Sequence, residues 1–508
     1  MRVAASGGAP WDVAGDVLAV AIYRDEPLEG ELAELDRRTG GAVAAAMEFG
    51  ELANSDARSA LVDAGSLPVR RVLLVDAGRR DDRVRSARRT AALAVRRLLG
   101  REARRLALWM RDGADGAATS DHSARDGRAE RLEATIVGAF AGSYRPAEIY
   151  GRARDDASTQ RGVEEVVIVR EAADEDVRRA TAVAEGVLFG RDLANRSAND
   201  LTPARMGEAA RELEADGCVV EVLDVDEMRR QGMGALVGVG QGSANEPQLV
   251  VVRLPGWNDA NADRRLAIVG KGVCFDSGGL SLKPAEKMEE MKWDKSGAAA
   301  VIAAARTVAR IRPDVPLMAV APMVENMPGG AAQRPGDVVR TLSGKTVEVT
   351  NTDAEGRLIL ADALAFAERE GATHLVDIAT LTGAAQIALG DEVAAVFSRP
   401  AAWGREILDA GESTGEWLWE MPLVEDYRSG LDSAFADLVN SGTRDGSLIK
   451  SALFLAEFVT RPWAHIDIAG SAYVARDTPF APRGCLGTGV TTLTRLALRY
   501  AANGAPAG

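Results

Sequence analysis

The chain has 508 residues, 46% of them apolar and 27% charged, with a formal net charge of −14. That length can bury more than one core, and the composition is that of a globular protein rather than a disordered or fibrous one. The acidity disfavours a polyanion as main partner, no apolar run reaches the roughly 18 residues of a membrane span, and no secretory signal is visible.

Three cysteines, Cys218, Cys274 and Cys485, lie far apart without a CxxC pair, which excludes a disulfide framework and fits a reducing cytoplasm. The histidines are His122, His374 and His465, too few for a His-rich zinc site. Any metal would therefore be held mostly by oxygen.

In chain order, residues 17–23 (VLAVAIY) and 69–75 (VRRVLLV) read as buried strands, with helical composition over 32–49 between them. The Arg-dense segment 79–105 places Ala91, Val95 and Leu98 or Leu99 on one apolar helical face beneath a basic one. Residues 104–109 and 163–169 read as further strands, and 112–131, rich in Gly, Asp, Ser and Arg, as a loop. Strands alternating with helices predict a smaller N-terminal α/β domain over 1–170 with a mainly parallel sheet.

Residues 174–195 have a helical period with acids at the start, giving a linker helix over 171–192. Thr202 and Pro203 open the next helix and Gly217 closes it. Strands are expected at 219–223, 248–254, 266–270, 316–321, 347–350 and 373–378, and helices at 298–311 and 356–370. Residues 193–508 thus form a larger C-terminal α/β domain with a mixed, mainly parallel central sheet, and 501–508 read as a frayed tail.

The stretch Asn351-Thr352-Asp353-Ala354-Glu355-Gly356-Arg357 carries the densest chemistry. Asp353 and Glu355 share a side if the backbone is extended, and Gly356 permits a sharp bend. Crowded carboxylates stay ionised most easily around a cation, but an acidic turn capping a helix is an equal reading of this stretch alone.

A second stretch, KGVCFDSGGLSLK from Lys271 to Lys283, follows an apolar run, so Lys271 sits at a strand's C-terminal end, where open α/β sheets bind ligands. Its acid and its lack of the GxxxxGK order argue against a phosphate loop. A third, MKWD, ends in Asp294 just before an Ala-rich helix, where a helix cap is the bland reading. Asp276, Asp294, Asp353 and Glu355 all fall at strand ends or helix starts of one domain. Such a set suits Mg²⁺, Mn²⁺ or Zn²⁺, and normally two ions about 3.5–4 Å apart. Of Lys271 and Lys283, one could ligate as a neutral amine and the other polarise a carbonyl; spacing does not decide which, and surface lysines are the plain alternative.

These blocks resemble the signatures of the leucyl aminopeptidase, or cytosol aminopeptidase, family. So do NDLTP (199–203), VGQGS (239–243), ENMPGG (325–330), PGDVV (335–339), DIATLTGA (377–384) and HIDIAG (465–470), in the family's order over about the last two thirds of the chain. The resemblance implies a two-metal exopeptidase that removes N-terminal residues such as Leu from peptides. By position it implies Lys271, Asp276, Asp294 and Glu355 around one metal, and Asp276, Asp353 and Glu355 around the other. Lys283 would polarise the scissile carbonyl, and Arg357 would hold a bicarbonate acting as general base. Met291, Asn351, Thr380, Leu381 and Gly383 would line the substrate site. Mn²⁺ or Zn²⁺, with Mg²⁺ as a further option, a cytoplasmic setting and a homohexamer are implied with it; no membrane partner is.

Lys295, beside Asp294, departs from the family's usual uncharged residue; it is expected to point outward on the first helical turn, since adjacent helical side chains face different ways. Cys274 reads as packing, and His374 and His465, in apolar strands, as structural. Two competing functions remain: an added DNA-binding role through the basic face of 79–105, disfavoured by the overall charge, and an inactive scaffold, disfavoured by the intact set of site positions.

Overall fold

The computed structural model describes residues 1–24, 26–52, 58–78, 82–111, 122–151 and 162–503. The chain folds as two compact units. The first comprises Met1–Leu188 with Ser413–Gly415 and Arg476–Arg483; the second comprises Phe189–Glu412, Glu416–Ala475 and Gly484–Gly508.

The first unit holds strands β1 (Arg2–Ser6), β2 (Val17–Ile22), β3 (Ser59–Asp63), β4 (Arg71–Asp76), β5 (Arg105–Trp109) and β6 (Glu165–Val169). They form a six-stranded sheet in the order β1-β6-β5-β2-β4-β3, parallel except for β3. β2 is buried along its whole length, which is why its sequence is an unbroken apolar run rather than an alternation. β1 and β3 carry no such run and escaped the sequence reading.

Helical composition over 32–49 resolves into α1 (Gly30–Arg38) and α2 (Ala42–Glu48). Gly40 and Gly41, at φ 67° and 87°, break the helix between them. α3 (Arg83–Arg97) buries Ala91 and Val95 as its spacing predicts. The loop expected over 112–131 is corrected in part. Residues 112–121 lie outside the described residues, and from residue 122 the chain is already helical in α4 (His122–Ser143). The physical reason is packing: a Cβ on Gly138 or Gly142 would stand 2.0 or 2.4 Å from the carbonyl oxygens of Arg88 and Ala92, so these glycines let α4 lie against the backbone of α3.

α5 (Asp174–Asn195) carries the chain from the first unit to the second. α6 (Pro203–Arg211) starts with Thr202 Oγ1 accepting the Arg205 N–H, and a following 3-10 turn ends at Gly217 with φ 84°. Next come β7 (Val219–Leu223), α7 (Val225–Gln231), α8 (Gly234–Gly240), β8 (Gln248–Arg253), β9 (Leu266–Gly270), β10 (Gly272–Asp276), α9 (Ser296–Ile311) and β11 (Leu317–Asn326). They are followed by β12 (Val338–Arg340), β13 (Thr346–Glu348), α10 (Gly356–Arg369), β14 (His374–Ala379), α11 (Gly383–Leu389), β15 (Val393–Arg399), α12 (Ala401–Thr414) and β16 (Trp417–Glu420). β17 (Leu438–Val439), α13 (Ser447–Ala456), β18 (Trp463–Asp467) and α14 (Val490–Asn503) complete the set that matters here.

The main sheet of the second unit has nine strands in the order β16-β15-β18-β14-β9-β11-β8-β7, with β10 added beside β11. Its centre, β18-β14-β9-β11, is parallel, while β7, β8 and β15 make antiparallel pairs. β9 shows how the layers are built. Ala267 and Val269 pack in one cluster with Leu358 and Leu360 of α10. A Cβ on Gly270 would instead lie 2.3 Å from Gly297 O at the start of α9. Successive strand residues point to opposite faces, so helices cover both and the polar groups of interest are left at the strand ends. Among the described residues no helix is long and apolar enough to cross a membrane.

Candidate active site

Four parallel strands end at one place. Lys271 follows β9, Asp276 ends β10, Asn326 ends β11 and Thr380 follows β14. Asp294 and Glu355 stand just before α9 and α10. The Lys271 N–H donates to Ile378 O and its carbonyl accepts the Ala298 N–H, which locks the bend between β9 and β10 against the start of α9.

Lys271 is buried, and its Nζ donates to Asp294 Oδ1 (2.9 Å), Glu355 Oε1 (2.9 Å) and Thr380 O (2.8 Å). Lys283 reaches back to the same place: Nζ is 2.7 Å from Asp276 Oδ2 and also pairs with Asp353. Carboxylate oxygens of Asp276, Asp353 and Glu355 lie within 4.8 Å of one another. All seven residues singled out as ligands or catalysts belong to the second unit, and six of them share these direct contacts.

The Asn351–Arg357 stretch needs two corrections. Asp353 and Glu355 do not meet through an extended backbone. The chain turns there, with the Asp353 N–H donating to Asn351 Oδ1 at 2.9 Å, and Glu355 already has helical φ/ψ (−79°, −36°). Gly356 is not a left-handed bend either. It opens α10, and a Cβ on it would stand 2.6 Å from Lys271 Cε and 2.8 Å from Nζ. Glycine is required because the lysine passes against the helix backbone. Asp294 likewise is not the cap of α9, whose N-cap is Lys295; it ends the 3-10 turn before it.

Four carboxylates face two ammonium groups here, an excess of two negative charges. Burial, with Glu355 as neighbour, pushes Asp276 up to about 6 in spite of Lys283 and Lys271. Burial also raises Asp294 and Asp353, again with Glu355 adding repulsion. Glu355 is held below the usual range: burial opposes this, but Lys271 and Lys283 outweigh it. Both lysines would be lowered by burial, yet the acids around them raise them. Asp294 Oδ2 and Glu355 Oε2 are buried without a hydrogen-bond partner. Lone pairs left unsatisfied in an over-acidic pocket, on oxygen donors alone, fit divalent cations.

Arg357 is buried, which draws it down to about 10. Nη1 donates to Asn440 O at 2.8 Å, while Nε is buried and unpartnered. Asn440 is a residue the sequence reading missed. It is fully buried; its Nδ2 donates to Asn351 O (2.7 Å) and Ala354 O (3.2 Å), and its Oδ1 accepts the Thr350 N–H (2.9 Å). It fastens the 350–354 turn from ninety residues away, and nothing local in the sequence marks it. Asn326 was also missed as a site residue: its Nδ2 donates to Asp276 Oδ1 (2.8 Å) and Thr352 O (2.9 Å), tying the two acidic stretches together.

Thr380 Oγ1 donates to Asp294 Oδ1 at 2.7 Å, and the Leu381 N–H donates to Asp467 Oδ1 at 3.2 Å. Met291 is half-buried and its carbonyl accepts the Asp294 N–H, whereas Gly383 is exposed at the start of α11 with open space around it. Of the five residues expected to line the substrate site, Asn351, Thr380 and, through its carbonyl, Met291 thus touch residues of the acidic cluster directly; Leu381 and Gly383 stand beside it in the chain.

Lys295 is corrected outright. It does not point to solvent but is fully buried, and Nζ donates to the carbonyls of Arg196 (2.8 Å) and Lys292 (2.5 Å). Burial pulls it down to about 8. The residue sits before the regular helix, where the rule that neighbours diverge does not apply. Cys274 is fully buried. His465 in β18 holds Nδ1 2.5 Å from Asp377 Oδ1, and His374 lies against Tyr500 OH at 2.9 Å.

Comparison with known proteins now decides the family. Residues 188–494 match the cytosol aminopeptidase family, catalytic domain. A probable cytosol aminopeptidase of Solibacter usitatus is 42% identical over 438 residues, 85% of this chain and 87% of that one. One from Roseiflexus castenholzii is 40% identical over 504 residues, covering 97% and 98%. The chain belongs to the cytosol aminopeptidase family.

Solved structures agree. A mutant of tomato leucine aminopeptidase matches with TM-score 0.83 and 32% identity, over 98% of this chain and 96% of that one. The bottromycin maturation enzyme BotP in complex with Mn matches with TM-score 0.79 and 35% identity, over 96% and 100%. This cytosol aminopeptidase family member is accordingly a mixed α/β hydrolase, a metal-dependent aminopeptidase acting on peptides.

Proposed function

We propose that this chain removes N-terminal residues, Leu among the preferred ones, by two-metal hydrolysis at the cluster of Lys271, Asp276, Lys283, Asp294, Asp353, Glu355 and Arg357. The observation that carries the reading is the pocket of Asp276, Asp353 and Glu355 oxygens within 4.8 Å, over-acidic and with buried lone pairs to spare.

Asp276, Asp294 and Glu355, with Lys271 as a neutral amine once it has given up its proton to make way for the metal, would hold one divalent cation and Asp276, Asp353 and Glu355 the other, Asp276 and Glu355 being shared. When bound, the pair supplies Lewis acidity and a water whose pKa is lowered toward about 7. Mn²⁺ is the first candidate, on the strength of the Mn complex of the similar bottromycin enzyme, with Zn²⁺ and Mg²⁺ as alternatives. Lys271, clamped by three acceptors, keeps its nitrogen aimed at Asp294 and Glu355. Lys283 is the partly exposed partner: kept protonated by its acids, it can turn to the scissile carbonyl and stabilise negative charge on its oxygen.

The unpartnered Nε of Arg357 fits one edge of a planar anion. A bicarbonate there would supply the base that no histidine provides, since His465 is committed to Asp377 and His374 lies at the start of β14. Met291, Asn351, Thr380, Leu381 and Gly383 would receive the substrate's first residues. A cytoplasmic homohexamer is the working assembly.

The test is a rate panel over Leu, Met, Arg and Asp anilides after loading with defined metals. Hydrolysis that prefers Leu and requires metal supports the reading; metal-independent hydrolysis overturns it. A second role in DNA binding has less support. On α3, Arg85 pairs with Asp82, Arg96 with Asp477, and Arg89 lies over the Phe480 ring, so three of its six arginines are already engaged. Retention on a heparin column across a salt series checks it.

A further inference from the structure

The first unit has its own open sheet edge. β2 neighbours β4 on one side and β5 on the other, so the strand order reverses between β2 and β5. At such a switch point, ligands bind beyond the carboxyl ends of the strands. Here that edge opens into a cavity of about 1090 Å³, walled by Trp11 and Trp109 and by Arg111 just past β5.

Arg111 is buried, with 5% of its side chain exposed. Its Nη2 lies 2.8 Å from Oε1 of Glu26, which follows β2, and the other Glu26 oxygen accepts the Tyr23 N–H at 3.2 Å. The guanidinium lies over the Trp109 ring, 5.5 Å from its centroid. Nε and Nη1, however, are buried and have no hydrogen-bond partner among the described residues. Arginine does not give up its proton, so only an acceptor can satisfy these donors; they lie on different edges of the guanidinium, so each takes its own acceptor oxygen, such as one oxygen of a carboxylate or phosphate.

The rest of the lining chooses between those two. Arg128 and Arg170 line the cavity as well, but Glu29, Glu31, Glu171 and Asp176 outnumber them and disfavour a polyanion. They suit a ligand that carries a cation beside its carboxylate. The first turn of α1, at Gly30, lines the same space, has no side-chain cap, and favours negative charge. The enzyme's own reaction releases molecules with both charges. We propose that the first unit binds a free α-amino acid at this edge, a carboxylate oxygen on Arg111 Nη1, its ammonium toward Glu31 and Glu171, and its side chain against Trp11. The cavity belongs to the first unit and the catalytic cluster to the second.

Equilibrium dialysis of labelled L-leucine against the full-length protein tests this. Wild type is expected to retain one more leucine per chain than Arg111→Lys, which keeps a cation for Glu26 but has no second nitrogen for the ligand. The peptidase rate of that variant at low product should stay within about twofold of wild type. The paired change Glu31→Gln and Glu171→Gln, on exposed residues, keeps the test open if Arg111→Lys misfolds, and should weaken the same binding at least tenfold. Unlabelled leucine should displace the label at least tenfold better than 4-methylpentanoate or inorganic phosphate. Equal retention by wild type and variants overturns the site. Equal displacement by 4-methylpentanoate or phosphate overturns its assignment to an amino acid. Neither outcome depends on how the second unit hydrolyses peptides.

Discussion

The two units place charged groups at the same station, the C-terminal edge of a parallel sheet, and leave opposite atoms unsatisfied. Among the acids of the second unit's site the orphans are oxygens, Asp294 Oδ2 and Glu355 Oε2, with Arg357 Nε as the one nitrogen named beside them. In the first they are nitrogens, Nε and Nη1 of Arg111. Because a buried polar atom without a partner is costly, the sign of the orphan reports the charge of what belongs there: a cation in one case, an anionic group in the other. The lesson is that fold position locates a site, while the unpaired atoms say what the site takes.

The comparison breaks most sharply if the oxygen-rich edge proves dispensable. Lys283→Ala and Glu355→Ala are each expected to lower kcat on a leucine anilide by about 10³-fold, the scale of losing a main electrostatic stabiliser. Circular dichroism should show the fold intact. Near wild-type turnover in either variant would remove the site assignment. Dialysis against a chelator comes next in size: activity should vanish and return with Mn²⁺ or Zn²⁺. Leucine retention by the first unit should survive the treatment, because its ligands include no metal. Activity that persists after exhaustive chelation would show that the orphan oxygens had been misread.

Gly356→Ala probes how finely the edge is built. In the middle of a helix alanine is favoured over glycine by about 1 kcal/mol. Here the added methyl would meet the end of the Lys271 side chain at 2.6 Å, and a flexible chain end gives way more easily than backbone. The expected result is therefore divided: thermal stability close to wild type, and activity down about tenfold as Lys271 is pushed off Asp294 and Glu355. A variant fully active at all metal concentrations would mean that the close approach has no function.

This division also marks what could be read without coordinates. The acids and lysines were legible because catalysis fixes residue type and spacing within short blocks, and helices such as Arg83–Arg97 because their apolar residues recur on one face. What escaped depends on contacts between distant segments. Asn440 fastens the Asn351 turn from just past β17, Gly356 is a glycine because of Lys271, and Lys295 is buried because the carbonyls of Arg196 and Lys292 receive it. Arg111 belongs to no motif at all. Its meaning lies in having one partner where its geometry allows more.

The smallest effect belongs to the opposite end of the catalytic sheet. His374 begins β14, whereas the active cluster gathers where β14 ends. Its ring is packed against Trp403 and Tyr500, and burial draws it down to about 4. An ordinary histidine titrates near 6.5. Between those values the unfolded chain binds a proton that the folded chain refuses. Stability from this group is therefore complete above pH 6.5 and is lost as pH falls toward 4. Asp362, which burial pushes up to about 7, acts in the reverse sense and loses stability as pH rises through that range, so a single melting curve mixes the two. The difference between wild type and His374→Gln separates them. Comparing melts at pH 7 and pH 5, wild type should lose roughly 2–4 °C more than the variant. The peptidase rate at pH 7.5 should be the same in both. Equal pH dependence of the two melting temperatures would show that the His374 ring is protonated in the fold. A fall in rate at pH 7.5 would mean that the two ends of the strand are not independent.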